Sequence, residues 1–212
     1  MNIMVRIVWM ACLSLFATSI TAQKIFSEGS VRYDVYVDGS AESNGVYVIS
    51  VKGGMIKREL AMNNGYNNIT IYNQKNGKTL SLNVNEDQKY ALEISEEELK
   101  EKNKRFEHAV LTPTSNTKKI AGFSCSGMKV QYDQVEGNEI FYTSDLVPLN
   151  ESINTMFPGL KGLALEYETK LASKGTMRFV AKAIEIKSLD NNQFVLPTGY
   201  KIVTKEELKN MK

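Results

Sequence analysis

Hydrophobic and polar residues alternate with a period of two from residue 30 onward. Val31, Tyr33, Val35 and Val37 take one parity, and Arg32, Asp34, Tyr36 and Asp38 take the other. Successive side chains of an extended chain leave opposite faces, so this pattern predicts a half-buried β-strand. It returns over residues 46–51, 55–62, 69–72 and 79–84, and again in Tyr90, Leu92 and Ile94. Between these runs stand Asp38-Gly39-Ser40, Gly53-Gly54, Asn63-Asn64-Gly65, Asn76-Gly77 and Glu86-Asp87. Asn-Gly is a hairpin signal because both residues tolerate positive φ. Short strands with turn chemistry every 8 to 12 residues or so predict an antiparallel meander in place of parallel α/β units.

The meander is interrupted once. Ser95 followed three residues later by Glu98 forms a capping box, and Glu96/Lys100 and Glu98/Lys102 are favourable pairs four residues apart. The helix they predict has only Leu99 and Phe106 to dock with, so it reads as a polar surface helix or as a lid. Beyond Pro113 the strand pattern resumes. Met128, Val130 and Tyr132 alternate with polar neighbours, residues 139–143 form a further run, and Pro158-Gly159 turns the chain. Leu163, Leu165 and Tyr167 then share a face, Ser173-Lys174-Gly175 makes a hairpin, and Met177 and Phe179 return. By Ile184 the apolar parity has switched, which predicts a bulge over residues 181–183, the device by which long strands curve. Phe194, Leu196, Pro197 and Tyr200 pin the last connection, and Thr204 with Glu207 caps a short terminal helix. The expected fold is therefore mainly β: a strongly curved antiparallel sheet of around ten strands, an incomplete barrel, with one or two helices against its concave side.

The first residues change the picture of where this sheet works. Arg6 precedes an apolar run over residues 7–16, then small and hydroxylated residues lead to Ala22-Gln23. That layout predicts a secretory signal peptide over residues 1–22, and a run of about ten apolar residues is too short to span a membrane, which takes about 20. Residues 23–212 are expected to form a single exported domain in the periplasm or cell envelope, with no transmembrane segment. Loss of Arg6 with the leader takes the net charge from +2 to +1, a balance without the electrostatic footprint of a nucleic-acid binder. Cys12 leaves as well, so Cys125 stands alone without a disulfide partner and stability must come from the core.

Candidate chemistry is sparse. His108 is the only histidine, which rules out a His-based metal cluster and leaves one residue for any Ser-His or Cys-His couple. The run from Gly122 to Gly127 suggests a nucleophile elbow, but Gly-x-Ser-x-Gly would need glycine at Ser126. Glu166 and Glu168 share a strand face opposite the apolar one, which reads as a solvated surface. No phosphate-cradling loop is present, and the sequence predicts no enzyme, cofactor or metal. Less bland is a set of methionines on or beside the expected strands. Met55, Met62, Met128, Met156 and Met177, with Phe141, Phe157, Leu160, Leu163, Leu165 and Phe179, are the candidate lining of an apolar ligand pocket. Methionine adapts to irregular apolar shapes, so the same residues suit either a greasy hollow or ordinary core filling.

Thr117-Lys118-Lys119-Ile120-Ala121-Gly122-Phe123-Ser124-Cys125, Ile140-Phe141-Tyr142-Thr143, the run from Phe157-Pro158-Gly159 to Glu166, and the closing stretch from Phe194 to Tyr200 carry a family resemblance. Over residues 26–205 the chain resembles an exported Bacteroidetes domain-of-unknown-function family akin to the GLPGLI proteins. It departs from the GLPGLI signature at Lys161, where proline would stand, and at Ala164. The resemblance implies a LolA/LolB-like fold whose hollow accepts a lipid or a lipoprotein acyl chain. The alternative is a structural module, or one that binds an envelope protein partner, with its interior filled by its own side chains.

Overall fold

The computed structural model describes residues 23–85, 88–133, 136–170 and 175–210. The expected signal peptide, Cys12, the Glu86-Asp87 turn and most of the Ser173-Lys174-Gly175 hairpin lie outside them. The N-terminal meander runs through β2 (Glu28–Val37), β3 (Gly45–Lys52), β4 (Met55–Met62), β5 (Asn67–Asn73), β6 (Lys78–Asn85) and β7 (Gln88–Ile94). Next come α1 (Glu96–Asn103), a short 3-10 turn (Lys104–Phe106), β8 (Val110–Ile120), β9 (Phe123–Gln131) and β10 (Glu136–Thr143). The chain finishes with β12 (Leu163–Lys170), β13 (Thr176–Glu185), β14 (Lys201–Val203) and α2 (Lys205–Asn210). A separate parallel pair is made by β1 (Lys24–Phe26) and β11 (Leu146–Pro148).

The other twelve strands form one sheet in the order β14-β7-β6-β5-β4-β3-β2-β13-β12-β10-β9-β8. Every pairing is antiparallel except β14 with β7. Its end strands, β14 and β8, do not pair with each other, so the sheet curves without closing into a barrel. Curvature is set by register shifts between Ala181 and Ala183 in β13, Phe141 and Tyr142 in β10, and Pro113 and Thr117 in β8. The first of these sits where the parity switch places it: Ala181 pairs with Tyr33, and Ile184 with Val31.

One face carries the main core. Tyr33 faces Tyr47 and Ala181 on its two neighbouring strands, and Tyr167 faces Phe179. Their rings form a connected cluster, with Tyr167 stacked on Phe179 at 4.9 Å and Tyr33 edge-on to Tyr167 at 5.9 Å. Tyr33 Oη also donates to the Ala164 carbonyl at 2.9 Å, so the buried hydroxyl is satisfied. We call this the inner face; Leu99 of α1, and Phe106 just after it, lie over its β4–β7 part.

Not every apolar parity turns to this face: β5 and β6 send theirs to the other side. Ile56 pairs with Tyr72 and Lys57 with Ile71, so Ile69, Ile71, Leu80 and Leu82 point away from the inner face. With Ala91 they make a second core, covered by Leu196 and Tyr200. The covering segment is held where it begins: the Glu28 carboxylate accepts from the Leu189 N–H at 2.7 Å and from Ser188 Oγ at 3.1 Å, and Lys52 pairs with Glu28 at 3.0 Å. The terminal helix is capped as expected, with the Thr204 N–H donating to Glu207 Oε2 at 2.7 Å, and Lys205 ties it to Glu98 of α1.

Gly29 fixes how closely β13 approaches β2. Its φ is +144°, and a Cβ there would lie 2.1 Å from the Glu185 carbonyl oxygen. Gly29→Ala is therefore expected to lower the unfolding free energy by about 2–4 kcal/mol, read as a reduced urea midpoint. An unchanged midpoint would mean that this close approach does not constrain the seam.

Candidate functional site

The site is built by the loop between β11 and β12. Asn150 Oδ1 accepts from the Ser152 N–H at 3.0 Å and caps a 3-10 turn, Glu151–Asn154. Thr155 Oγ1 donates to the Ser152 carbonyl at 2.7 Å, Asn154 Nδ2 donates to Gly162 O at 2.8 Å, and Tyr132 Oη donates to Met156 O at 2.7 Å. From the sheet, the Arg58 guanidinium donates to the Ser152 carbonyl. These bonds clamp the loop over the inner face and hold Met156 and Phe157 toward it.

Three spaces meet at Met156. The largest, about 450 Å³, lies between the sheet (Arg58, Thr70, Tyr72, Thr79, Ile94), the helical segment (Leu99, Lys102, Asn103, Phe106) and the loop (Ser152, Thr155, Met156). A second, about 140 Å³, reaches past Phe106 to Val130, Tyr132, Ile140 and Phe157. The third, about 70 Å³, reaches down to the ring cluster at Tyr33, Tyr47 and Tyr167. A hollow of this size lies within the range of about 300–1,000 Å³ usual for small-ligand sites.

Of the residues expected to line a pocket, Met156, Phe157 and Leu163 border these spaces. Leu165, Met128 and Phe179 are buried in the core, Met177 is packed against it, and Met62 stands at the Gly45 end of the inner face, also packed against the core. Leu160 borders a separate space of about 160 Å³ under Pro158-Gly159. Two residues occupy the outward parity, although Phe141 is buried within the main core. Met55 pairs with Lys52, and Phe141 pairs with Glu166 beneath the Lys118 ammonium, 3.7 Å from its ring centre. The reason is register: both residues occupy the parity that their neighbours turn outward.

The polar members of the site escaped the sequence reading. Arg58 stands among Ile56, Leu60 and Met62 on the inward parity of β4, and a cation on an apolar parity was the available signal. Thr79 is 6% exposed, and its Oγ1 has no hydrogen-bond partner among the described residues. Burial holds the phenols of Tyr33, Tyr47 and Tyr167 above their ordinary value, with the nearby Arg58 charge opposing it. Tyr132 is pushed up to about 12 by the same desolvation.

The alternative chemical candidates resolve into structural roles. Cys125 is 2% exposed and burial pushes its thiol up to about 11, which opposes a reactive thiolate. Glu166 pairs with Lys118 at 2.9 Å and with Arg178 at 3.4 Å on the face away from the hollow. Among the described residues no group of three or more His, Cys, Asp and Glu side chains could hold a metal ion, and no helix is long and apolar enough to cross a membrane.

No family model and no curated protein matches this chain. Similar solved structures include PNGF-II, at 15% identity and a TM-score of 0.47, covering 87% of this chain and 33% of that one. The Pseudomonas aeruginosa MucA/MucB complex contains another, at 13% identity and a TM-score of 0.46, covering 84% of this chain and 58% of that one. A LolA superfamily protein from Nitrosomonas europaea is similar at 10% identity and a TM-score of 0.33, covering 82% of this chain and 92% of that one. The chain thus spans about a third of the first structure and under two thirds of the second.

Two measurements test that geometry. The buried phenols stay neutral in the folded state, whereas in the unfolded chain they ionise near pH 10. Stability is therefore fully present below about pH 10 and is lost as pH rises toward the folded values, by up to about 1.4 kcal/mol per pH unit for each phenol. Denaturant titrations across that range should show the decline, and Tyr47→Phe should make it shallower; an equal slope in the variant would contradict the assignment. Thr79→Val replaces an unpartnered buried hydroxyl with a methyl group and should stabilise the ligand-free protein by about 1 kcal/mol. A loss of melting temperature would show that the hydroxyl has a partner.

Proposed function

We propose that this chain is an exported envelope protein that binds an apolar ligand, a lipid or a lipoprotein acyl chain, in the hollow between its curved sheet and α1, without catalysing a reaction. The observation that carries this reading is the set of three spaces meeting at Met156, walled by Tyr72, Ile94, Leu99, Phe106 and Phe157 and clamped by the Arg58 bond to Ser152. Methionine at the meeting point suits a flexible occupant, because its unbranched side chain can shift to fit it.

A second reading, a partner-binding module, is favoured by a different observation. Strand β8 is an edge strand of eleven residues, largely exposed and, among the described residues, paired only with β9. Unpaired N–H and C=O groups along such an edge can accept another extended chain.

Purification without detergent followed by native mass spectrometry separates the readings. The expected result is a co-purifying mass that organic extraction identifies as lipid. Met156→Trp should fill the meeting point and reduce the bound fraction at least about tenfold while the circular dichroism spectrum is unchanged. A wild-type protein that neither carries nor takes up lipid would overturn the first reading.

A further inference from the structure

Resting on the reading that the hollow holds a lipid chain, we infer that its ligand is a single-chain amphiphile with a carboxylate head, a free fatty acid, whose head is met by Arg58 and Lys102 beneath α1. Several cations on the outer face have carboxylate partners: Lys57 with Glu59 at 2.8 Å, Lys118 and Arg178 with Glu166, and Lys182 with Asp34 at 3.6 Å. Arg58 on the inner face forms no ion pair with any described residue. Its neighbours are the Ser152 carbonyl and the Tyr47 hydroxyl.

A guanidinium offers five N–H donors in a planar fork, and a carbonyl and a phenol leave that fork largely unused. Arg58 also borders both the large space and the deep aromatic one, so a head placed on it leaves hydrocarbon directions open on either side. Lys102 borders the same large space from α1, and no aspartate or glutamate is among the residues that line it. The wall of this large space therefore has net positive charge among apolar, hydroxyl and amide groups, complementary to one anionic group on an aliphatic chain. Thr79 supplies an independent sign that a polar ligand group is expected there. Its hydroxyl is nine-tenths buried, borders this space, and lacks a partner among the described residues. An orphaned buried hydroxyl costs free energy that a polar ligand atom or its bound water removes. A purely hydrocarbon occupant would leave both Arg58 and Thr79 unsatisfied.

The test compares heads on one chain length. Laurate, dodecanol and dodecylamine are titrated into the full mature protein at pH 8 by calorimetry. Laurate should bind about tenfold more tightly than dodecanol, and dodecylamine more weakly than either. Arg58→Gln should reduce the laurate advantage about tenfold, and Lys102→Gln, on an exposed helix position, about threefold. Should Arg58→Gln fail to fold through loss of its bond to the loop, Lys102→Gln and the wild-type pH series remain. The laurate advantage should vanish as pH falls toward about 4, where the carboxyl takes up its proton. Equal affinity for laurate and dodecanol would overturn this inference and leave the lipid-binding reading standing. Absence of binding by all three would overturn that reading itself.

Discussion

The pairing of β2 with β13 is the constraint from which the rest of the structure follows. It joins residues far apart in sequence, Ser30 with Glu185 and Val37 with Met177, and so welds the N-terminal meander to the C-terminal strands. Without it there would be two smaller sheets, each with an apolar face too narrow to bury itself. With it, Tyr33, Tyr47, Tyr167 and Phe179 meet as one aromatic cluster across β3, β2, β13 and β12. That cluster forms the floor of the hollow, and the bulge at residues 181–183 bends the seam around it.

The two faces of the sheet divide the work of solvation. Outward-facing side chains such as Glu166, Lys118 and Arg178 satisfy one another at the surface, where the pairs contribute little energy but keep a broad sheet compatible with water. Inward-facing polar groups have more restricted solutions. Tyr33 donates its hydroxyl to the Ala164 carbonyl of β12, and Tyr132 donates its own to the Met156 carbonyl of the covering loop, so one fills the interior and the other also secures its roof. Arg58 belongs to this group as well, since it holds the Ser152 carbonyl from below.

Much of this was legible along the chain, and what was not has a common cause. Alternation in β2 and the parity switch in β13 report which residues share a face and where that face changes, and both correspond to observed pairings. The Ser95 and Glu98 capping box is likewise local, and its two bonds form at 3.2 and 3.3 Å. Parity alone does not say which face a strand turns inward. Ile69 and Ile71 alternate as clearly as Val31 and Tyr33, yet register against Lys57 and Glu59 sends them outward, where Leu196 and Tyr200 wait. Met55 and Phe141 take the outward parity of their strands for the same reason. The hollow itself depends on a loop, Glu151–Asn154, whose turn has no hydrophobic period to read, and on Arg58, whose importance appears only once its apolar neighbours are seen to face inward.

The segment that crosses the outer face from Leu189 to β14 has a consequence for how the molecule is made. Ile71, Leu82 and Ala91 have no cover of their own until Leu196 and Tyr200 arrive, and the edge of β7 stays open until Lys201–Val203 aligns along it in parallel. During synthesis, β2 to β7 therefore wait with a sticky back and an unpaired rim until a segment about a hundred residues further along emerges. A chain stopped shortly before Leu189 would retain the alternation that gives the meander its shape and still be prone to self-association, so the strap works as a seal over the outer side of β5 to β7.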